Sequence, residues 1–330
     1  MNTHIIKKIS LHPDLFTEKI EMESTRDGFG IGLVEAGKKY SNVVVLCADV
    51  EESTRVLDFK EKFPDRFIEV GVAEQNMAGV ATGLAQAGKI PVMASYAAFS
   101  PGRNWDQIRV SICYNNANVK IVSTHSGLNV GQDGATHQAL EDIALMRVLP
   151  QMTVVVPCDA LEAGKAINTA IHHKGPVYVR LTRDTSPVMT TKNTHFQIGE
   201  AQMWRAGKDA TIVGCGPILF EALLAARELA CEDIAVSVIN MATIKPLDRH
   251  CIIQCAQDTG AIVTVEEHQI YGGLGSAVAE VLAQYCPAPI EFVGVRDCFG
   301  ESGTPDELLT KYGLKKGDII KAVKKVIRRK

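Results

Sequence analysis

Two histidines and an acid share one glycine-rich segment of the sequence, residues 123–138, which reads STHSGLNVGQDGATHQ. His125, Asp133 and His137 supply proton carriers and hydrogen-bonding groups that suit a polar, hydroxylated substrate. The glycines allow the backbone to approach a ligand closely. Metal binding is the alternative, but the histidines lack the usual ligand spacing and no thiolate or second acid is close. The segment therefore indicates a substrate-binding loop.

A further acid, Glu74, follows a short apolar run in VGVAEQNM (residues 70–77). The run predicts a buried strand, and the small residues after Glu74 predict a helix. Open α/β sheets bind their ligands at the carboxyl ends of the strands, which is where this acid would lie. An acid in the first turn of a helix also simply stabilises that helix. These residues alone leave both interpretations open.

Two arginines occur near the same edge, Arg26 in STRD and Arg183 in RLTRD. The planar guanidinium group suits a phosphate or another oxyanion. The alternatives are an ion pair at a helix start for Arg26 and an exposed strand end for Arg183.

Other cofactor motifs are weak or missing. The GCGP of residues 214–217 resembles the beginning of a dinucleotide fingerprint, but the third glycine is absent. The sequence contains neither G-x-S-x-G nor G-x-x-x-x-G-K-[ST], so it does not favour a serine hydrolase or a P-loop protein.

Strand-like and helix-like runs alternate along the chain, and nearly continuous apolar strands predict parallel sheets buried on both faces. The fold class is therefore α/β, with two consecutive domains, each a mostly parallel sheet covered by helices. The predicted limits are an N-terminal extension at 1–20, a first domain at 21–186, a polar linker at 187–200 and a second domain at 201–330. The predicted strands are 42–47, 68–72, 120–123, 153–156, 176–181, 210–214, 234–239, 261–266 and 290–295. The predicted helices are 75–87, 160–172, 220–230, 249–256 and 275–284.

The composition is that of a globular protein, with 46% hydrophobic and 22% charged residues in 330. A net charge of −3 argues against a general nucleic-acid binder, and no apolar run is long enough for a membrane span. The start has no signal-peptide pattern, and nine cysteines without a framework indicate reduced thiols and a cytoplasmic location. The basic stretch 317–330 predicts a final amphipathic helix packed on its own domain; contact with a membrane or nucleic acid is the alternative.

Several of these motifs occur in the order and spacing of a known family. From about Thr25 to Lys325 the chain resembles the C-terminal half of transketolase, a thiamine-diphosphate enzyme, with its pyrimidine-binding domain and its C-terminal domain. The resemblance rests on the segments GVAEQNMAGVATGLA, THSGLNVGQDGATHQALEDIALMR, VYVRLTRD, IKPLD, TGAIVTVEEH and GGLGSAVAE.

The resemblance implies roles at the cofactor. Glu74 would hydrogen-bond N1′ of the aminopyrimidine and so help to generate the nucleophilic carbon of the thiazolium. Asp49 would lie against the cofactor. Phe99 would stack under the pyrimidine, with Tyr96 as the second choice.

The resemblance also implies substrate-binding roles. His125 and His137 would hydrogen-bond the carbonyl and hydroxyl oxygens of the sugar, and His137 would be the partner for proton transfer. Asp133 would contact a hydroxyl of the donor sugar. The phosphate of the acceptor would be held by Arg26, Ser53 and Arg183.

The family binds the diphosphate through Mg²⁺ and a G-D-G…N motif, which this sequence lacks; Gly317-Asp318 has no following glycine. No metal ligands are therefore expected on this chain. The resemblance implies a separate N-terminal transketolase subunit that carries the diphosphate site and Mg²⁺, joined with this chain in a heterotetramer. The activity implied is a pentose-phosphate-pathway transferase that moves a two-carbon ketol unit from a ketose phosphate to an aldose phosphate.

Three other functions stay open. One is the β subunit of a 2-oxo-acid dehydrogenase E1, although the pair of histidines suits polyhydroxylated sugars better. Another is a split transketolase for a sulfonated or branched sugar, since the arginines would bind a sulfonate as readily as a phosphate. The third is a non-catalytic subunit that kept the fold.

Overall fold

The computed structural model describes Ile9 and residues 11–330. The strands of the first half are β1 Met22–Glu23, β2 Val43–Cys47, β3 Phe67–Glu69, β4 Ile90–Tyr96, β5 Lys120–Thr124, β6 Thr153–Val155, β7 Val177–Arg180 and β8 Ser186–Pro187. Its α-helices are α1 Thr25–Lys39, α2 Leu57–Lys62, α3 Glu74–Gln86, α4 Trp105–Gln107, α5 Asp142–Arg147 and α6 Ala160–His172. Tighter or wider helical turns occupy Pro64–Arg66, Ile108–Cys113 and Leu128–Asp133.

The second half continues the alternation. Its strands are β9 Gln202–Arg205, β10 Ala210–Gly214, β11 Val236–Asn240, β12 Thr243–Lys245, β13 Ile262–Gln269 and β14 Ile290–Val295. Its helices are α7 Leu219–Ala230, α8 Arg249–Thr259, α9 Leu274–Tyr285, α10 Pro305–Lys311 and α11 Lys316–Ile327.

Two sheets organise these elements. The first has the strand order β12-β6-β7-β5-β4-β2-β3, and the second has the order β14-β13-β10-β11-β9. Within each sheet the neighbouring strands run parallel, except that β12 and β9 are antiparallel at their edges. Inner strand β2 is apolar throughout because both of its faces are buried. The prediction of two α/β units with mostly parallel sheets is confirmed.

Strand β12 belongs to the first sheet although it comes from the second half of the chain. Thr243 pairs with Val155 and Lys245 pairs with Val154, with a register shift between the two pairs. One buried apolar cluster also contains residues of both halves, among them Ile121 and Ile239. The two halves therefore share a core as well as a sheet edge.

The prediction misses several elements of the first half, and the two longest of these are strand β4 and helix α1. Strand β4 carries Pro91, which cannot donate to a sheet ladder and is unusual inside one. Helix α1 contains several glycines, which have low helix propensity. Their role is close packing: a Cβ added at Gly28 would lie 1.9 Å from the carbonyl oxygen of Ala160 at the start of α6.

The segment predicted as a linker is fixed to its surroundings. Ser186–Pro187 pairs with Met22–Glu23. The backbone N–H of Thr190 donates to Asp159 Oδ2 at 2.6 Å, and Lys165 Nζ donates to the carbonyl oxygens of Thr191 and Thr194. The segment that connects the two sheets is thus packed against the first half through these hydrogen bonds.

The basic end of the chain forms helix α11, as the periodicity predicts, and packs on its own domain. Its buried face consists of Ile319, Ile320, Val323 and Val326. Its lysines and arginine pair with acids of the same half, in the pairs Lys316–Glu228, Lys324–Glu232, Lys325–Glu291 and Arg329–Glu291. Among the described residues, no helix has both the length and the apolar character required to cross a membrane.

Candidate active site

The carboxyl edge of the first sheet gathers the residues singled out in the sequence. Parallel strands end at the same edge, so side chains that follow different strands meet there. Asp49 follows β2, Glu74 follows β3, Tyr96 ends β4, His125 follows β5 and Arg183 follows β7.

Aromatic rings bring the two histidines together at this edge. The ring of Tyr96 stacks on His125, with 3.8 Å between centroids, and lies 5.4 Å from Phe99. His137 contacts the edge of the Phe99 ring at 5.3 Å between centroids. The two histidines, separated in sequence, thus flank one aromatic pair.

His125 is held as a neutral imidazole. Its backbone has φ of 56°, a left-handed conformation that is uncommon outside glycine. Burial, together with the charges of Arg26 and Arg183, lowers its pKa to about 3. Its Nδ1 lies 2.8 Å from the Thr124 hydroxyl oxygen. A neutral, buried imidazole suits a hydrogen bond to an uncharged hydroxyl or carbonyl group.

A cavity of about 340 Å³ opens between the arginines and the glycine-rich loop, and its lining includes Arg26, Asn129, Arg183 and Pro305. Arg26 Nη1 donates to the carbonyl oxygen of Ser53 at 2.9 Å, while its buried Nε has no hydrogen-bond partner. Burial, followed by the nearby charge of Arg55, lowers the pKa of Arg26. An unpaired guanidinium donor at a cavity suits an oxyanion.

Arg183 lies at the same cavity and is held by the glycine-rich loop. Its Nη1 donates to the carbonyl oxygen of Val130 at 2.8 Å and lies 3.3 Å from Asp133 Oδ2. Asp133 is exposed. Arg183 and Asp133, which are both predicted to bind substrate, are therefore in direct contact.

Glu74 opens helix α3 and is buried, with 4% of its surface exposed. Its Oε1 accepts a hydrogen bond from Arg103 Nη1 at 3.0 Å. The guanidinium of Arg103 also lies over the face of Phe99, 4.0 Å from the ring centroid. A half-exposed cation thus bridges the predicted acid and the predicted aromatic shelf.

Asp49 and Ser53 lie at the same edge, but the contacts described for them there are made by their backbones. Asp49 is exposed, has a positive φ of 60°, and donates its backbone N–H to Glu69 Oε1. Ser53 reaches the site through its carbonyl oxygen, which accepts from Arg26. The sequence reasoning missed Arg103 and Asn129; the position of Asn129 within the glycine-rich segment was the available signal.

A cluster of possible metal ligands occurs near the same edge. The ligand atoms of Cys47, Glu51 and Glu69 lie within 4.8 Å of one another. Lys60 already pairs with Glu51 at 2.8 Å, and Glu69 accepts two backbone N–H groups. Burial raises the pKa of the Cys47 thiol to about 11, which disfavours the thiolate that binds metals. The chemistry of this set does not favour a metal.

Two family models match the chain in succession. One describes the pyrimidine binding domain of transketolase and matches residues 21–188. The other describes the transketolase C-terminal domain and matches residues 199–319.

Individual proteins match over most of their own length. A 6-deoxy-6-sulfo-D-fructose transketolase subunit of Clostridium sp. (strain MSTE9) is 42% identical over 315 residues, covering 96% of this chain and 98% of that protein. A putative transketolase C-terminal section of Methanocaldococcus jannaschii is 45% identical, covering 90% and 94% respectively. A solved structure of a split gene transketolase, described as an inactive beta4 tetramer, has a TM-score of 0.87 and 48% identity, covering 92% and 98%.

Proposed function

Because this chain belongs to the transketolase family, we propose that it is the C-terminal subunit of a split transketolase. The proposed reaction transfers a two-carbon ketol unit from a ketose phosphate to an aldose phosphate. The observation that carries the proposal is the convergence on one sheet edge of the buried acid, the two histidines that flank the aromatic pair, and Arg26 with its unpartnered Nε. Relatives named as transketolase subunits or sections, matched over nearly their whole length, support the assignment.

The residues at this edge fit an aminopyrimidine. Arg103 is a planar group whose nitrogen donates to Glu74 while its face covers Phe99. These are the two contacts that the family's cofactor makes with an acid and an aromatic ring. Glu74 would hold the ring nitrogen of thiamine diphosphate, and Asp49 would lie beside the cofactor. Phe99 is the preferred shelf, since the ring of Tyr96 is already stacked on His125.

When bound, thiamine diphosphate supplies a nucleophilic carbon for the ketose carbonyl. This chain's residues would orient the sugar. Neutral His125 would hydrogen-bond an oxygen of the sugar without adding charge, and His137, less buried, would exchange a proton with a hydroxyl group.

The remaining substrate contacts would lie at and around the cavity. Asp133 would accept a hydrogen bond from a hydroxyl group of the donor sugar. Arg26 and Arg183, with Ser53 holding Arg26, would bind the terminal anion of the sugar.

The complete enzyme would be a heterotetramer with an N-terminal subunit that carries the diphosphate site and Mg²⁺. The solved relative, described as an inactive assembly of beta chains, supports the need for a partner. The proposed pathway is the pentose phosphate pathway. The proposed location is the cytoplasm, where the free thiols of all nine cysteines would stay reduced.

A sulfonated sugar is the second candidate substrate. The observation that favours it is the similarity to a subunit named for 6-deoxy-6-sulfo-D-fructose. The unpaired Nε of Arg26 would serve a sulfonate or a phosphate equally well.

The test is reconstitution. This chain, mixed with candidate partners, thiamine diphosphate and Mg²⁺, should turn over xylulose 5-phosphate or its sulfonated counterpart, and not pyruvate. Glu74→Ala should abolish turnover while the subunits still assemble, whereas Glu35→Ala, an exposed acid on α1, should change neither. Normal turnover by Glu74→Ala would refute the role of Glu74, and pyruvate decarboxylation would point to a 2-oxo-acid dehydrogenase.

A further inference from the structure

A carboxylate from the second sheet lies buried under the glycine-rich loop of the first. Glu267, on β13, is 6% exposed, and its Oε1 accepts the backbone N–H of Asn129 at 2.5 Å. The loop leaves room for it only because residue 127 is glycine. A Cβ added there would lie 2.4 Å from the same oxygen.

We propose that Glu267 is a positioning residue for the anion-binding cavity, which it shapes through the loop at 127–134. The proposal rests on the function proposed above. It gives the second domain a part in substrate recognition.

The path from Glu267 to the cavity is a short chain of hydrogen bonds. The side-chain oxygen of Asn129 accepts the backbone N–H groups of Arg183 and Asp184, at 3.0 and 2.6 Å. The next residue, Val130, accepts the Arg183 guanidinium through its carbonyl oxygen. Asn129 and Arg183 both line the cavity, so a shift of the Asn129 backbone would displace both the guanidinium and the cavity wall.

The other end of the loop is linked to the second half through Gln138, a residue of the first half. Gln138 Nε2 donates to the carbonyl oxygens of Gly131 and Glu301, at 3.0 and 2.9 Å. Pro305, at the start of α10, lines the cavity itself. The loop is therefore clamped against the second domain on two sides, with Glu267 as the acidic clamp.

The neighbouring acid shows what a purely local role looks like. Glu266 is also buried, but its two oxygens accept the backbone N–H groups of Leu274 and Gly275 at the start of α9, both at 2.7 Å. Successive strand residues point to opposite faces, which separates the two roles. Glu266 is therefore a matched control on the same strand.

The experiment compares Glu267→Gln with Glu266→Gln in the reconstituted complex. In Glu267→Gln the Asn129 N–H faces an amide oxygen, which is a weaker acceptor than a carboxylate oxygen. This change should raise the KM for xylulose 5-phosphate about tenfold, with kcat within about twofold. Glu266→Gln should leave KM unchanged even if the melting temperature falls. Asn129→Ala, which spares both acids, should raise KM in the same way and serves if Glu267→Gln fails to fold.

Hydrogen exchange of the isolated chain provides a readout that needs no activity. The amides of residues 127–134 should exchange faster in Glu267→Gln and at the native rate in Glu266→Gln. If the complex shows no transketolase activity but the amides of Glu267→Gln still exchange faster than those of Glu266→Gln, the proposed function is wrong and the contact of Glu267 with the loop is still supported. An unchanged KM with unchanged exchange, equal effects of both variants, or a fall in kcat alone would overturn the positioning role.

Discussion

The buried ion pair between Arg180 and Asp142 offers a direct test of how the site is supported. Arg180 Nε donates to Asp142 Oδ2 at 2.8 Å, and the two side chains are 3% and 1% exposed. The same oxygen accepts the Tyr178 hydroxyl at 2.7 Å, and Arg180 Nη2 donates to the carbonyl oxygen of Glu267. The pair thus joins the first sheet to the strand that carries the proposed clamp. We expect Asp142→Asn to destabilise the protein strongly.

The expected size follows from what the substitution leaves behind. Asparagine keeps the volume and can still accept one hydrogen bond, but it leaves the Arg180 guanidinium without its charged partner. Removing one member of a buried pair costs about 3–5 kcal/mol. Arg180 retains the Glu267 carbonyl contact and the attraction of the Glu267 carboxylate, so the lower end, about 3 kcal/mol, is expected.

The assay is urea unfolding followed by circular dichroism, comparing wild type, Asp142→Asn and Tyr178→Phe. Tyr178→Phe removes a single hydrogen bond to the same carboxylate and should cost only about 1 kcal/mol. A cost below about 1 kcal/mol for Asp142→Asn, or equal costs for the two variants, would refute the argument that an uncompensated buried charge dominates.

Two further predictions concern pH and the cofactor. Burial, followed by the charge of Asp159, raises the pKa of Glu162 to about 7. The folded chain therefore keeps a proton that the unfolded chain loses near pH 4.5, so the free energy of unfolding should fall as pH rises from about 4.5 to about 7. Glu162→Gln should flatten this slope in urea titrations across that range, and an unchanged slope would count against the assignment. Arg103→Leu should bind thiamine diphosphate about fivefold tighter in the reconstituted complex, as measured by calorimetry. In this variant the half-exposed ion pair and the cation–π contact, together worth about 1 kcal/mol, no longer compete with the cofactor for Glu74 and Phe99. Weaker binding would contradict that competition.

The fold class was predictable because its signal is local. Apolar runs such as Val43–Cys47 form inner strands, and parallel strands bring Glu74, His125 and Arg183 to one edge. The strand Ile90–Tyr96 was obscured by its proline.

Other elements depend on tertiary contacts that no local pattern reports. Helix α1 is held by close packing on α6, where glycine is needed and helix propensity is poor. Strand β12 is short, bulged and antiparallel, and it pairs with a strand far away in sequence. The limits of the two domains at 20, 186 and 200 stay predictions.

The candidate site also contains residues that a local motif indicates and residues that only tertiary contacts bring together. Residues in motifs, such as His137 and Arg183, could be proposed from the sequence, whereas the contact of Arg103 with Glu74 depends on how the loop after β4 folds back. Nor does the sequence indicate that Glu267, in the other half, reaches the glycine-rich loop. Long-range hydrogen bonds of this kind are visible only once both sheets are in place.

Strand β12 bears on whether the two halves can be exchanged as modules in evolution. A chain cut between residues 190 and 240 would separate Thr243–Lys245 from β6 and leave Thr153–Val155 as an open edge. Unpaired edges template association with other chains. The fragments would then either pair with each other or aggregate. Exchanging one domain for another at this boundary would therefore expose a sheet edge, although the two family matches, lying side by side in sequence, suggest independent domains.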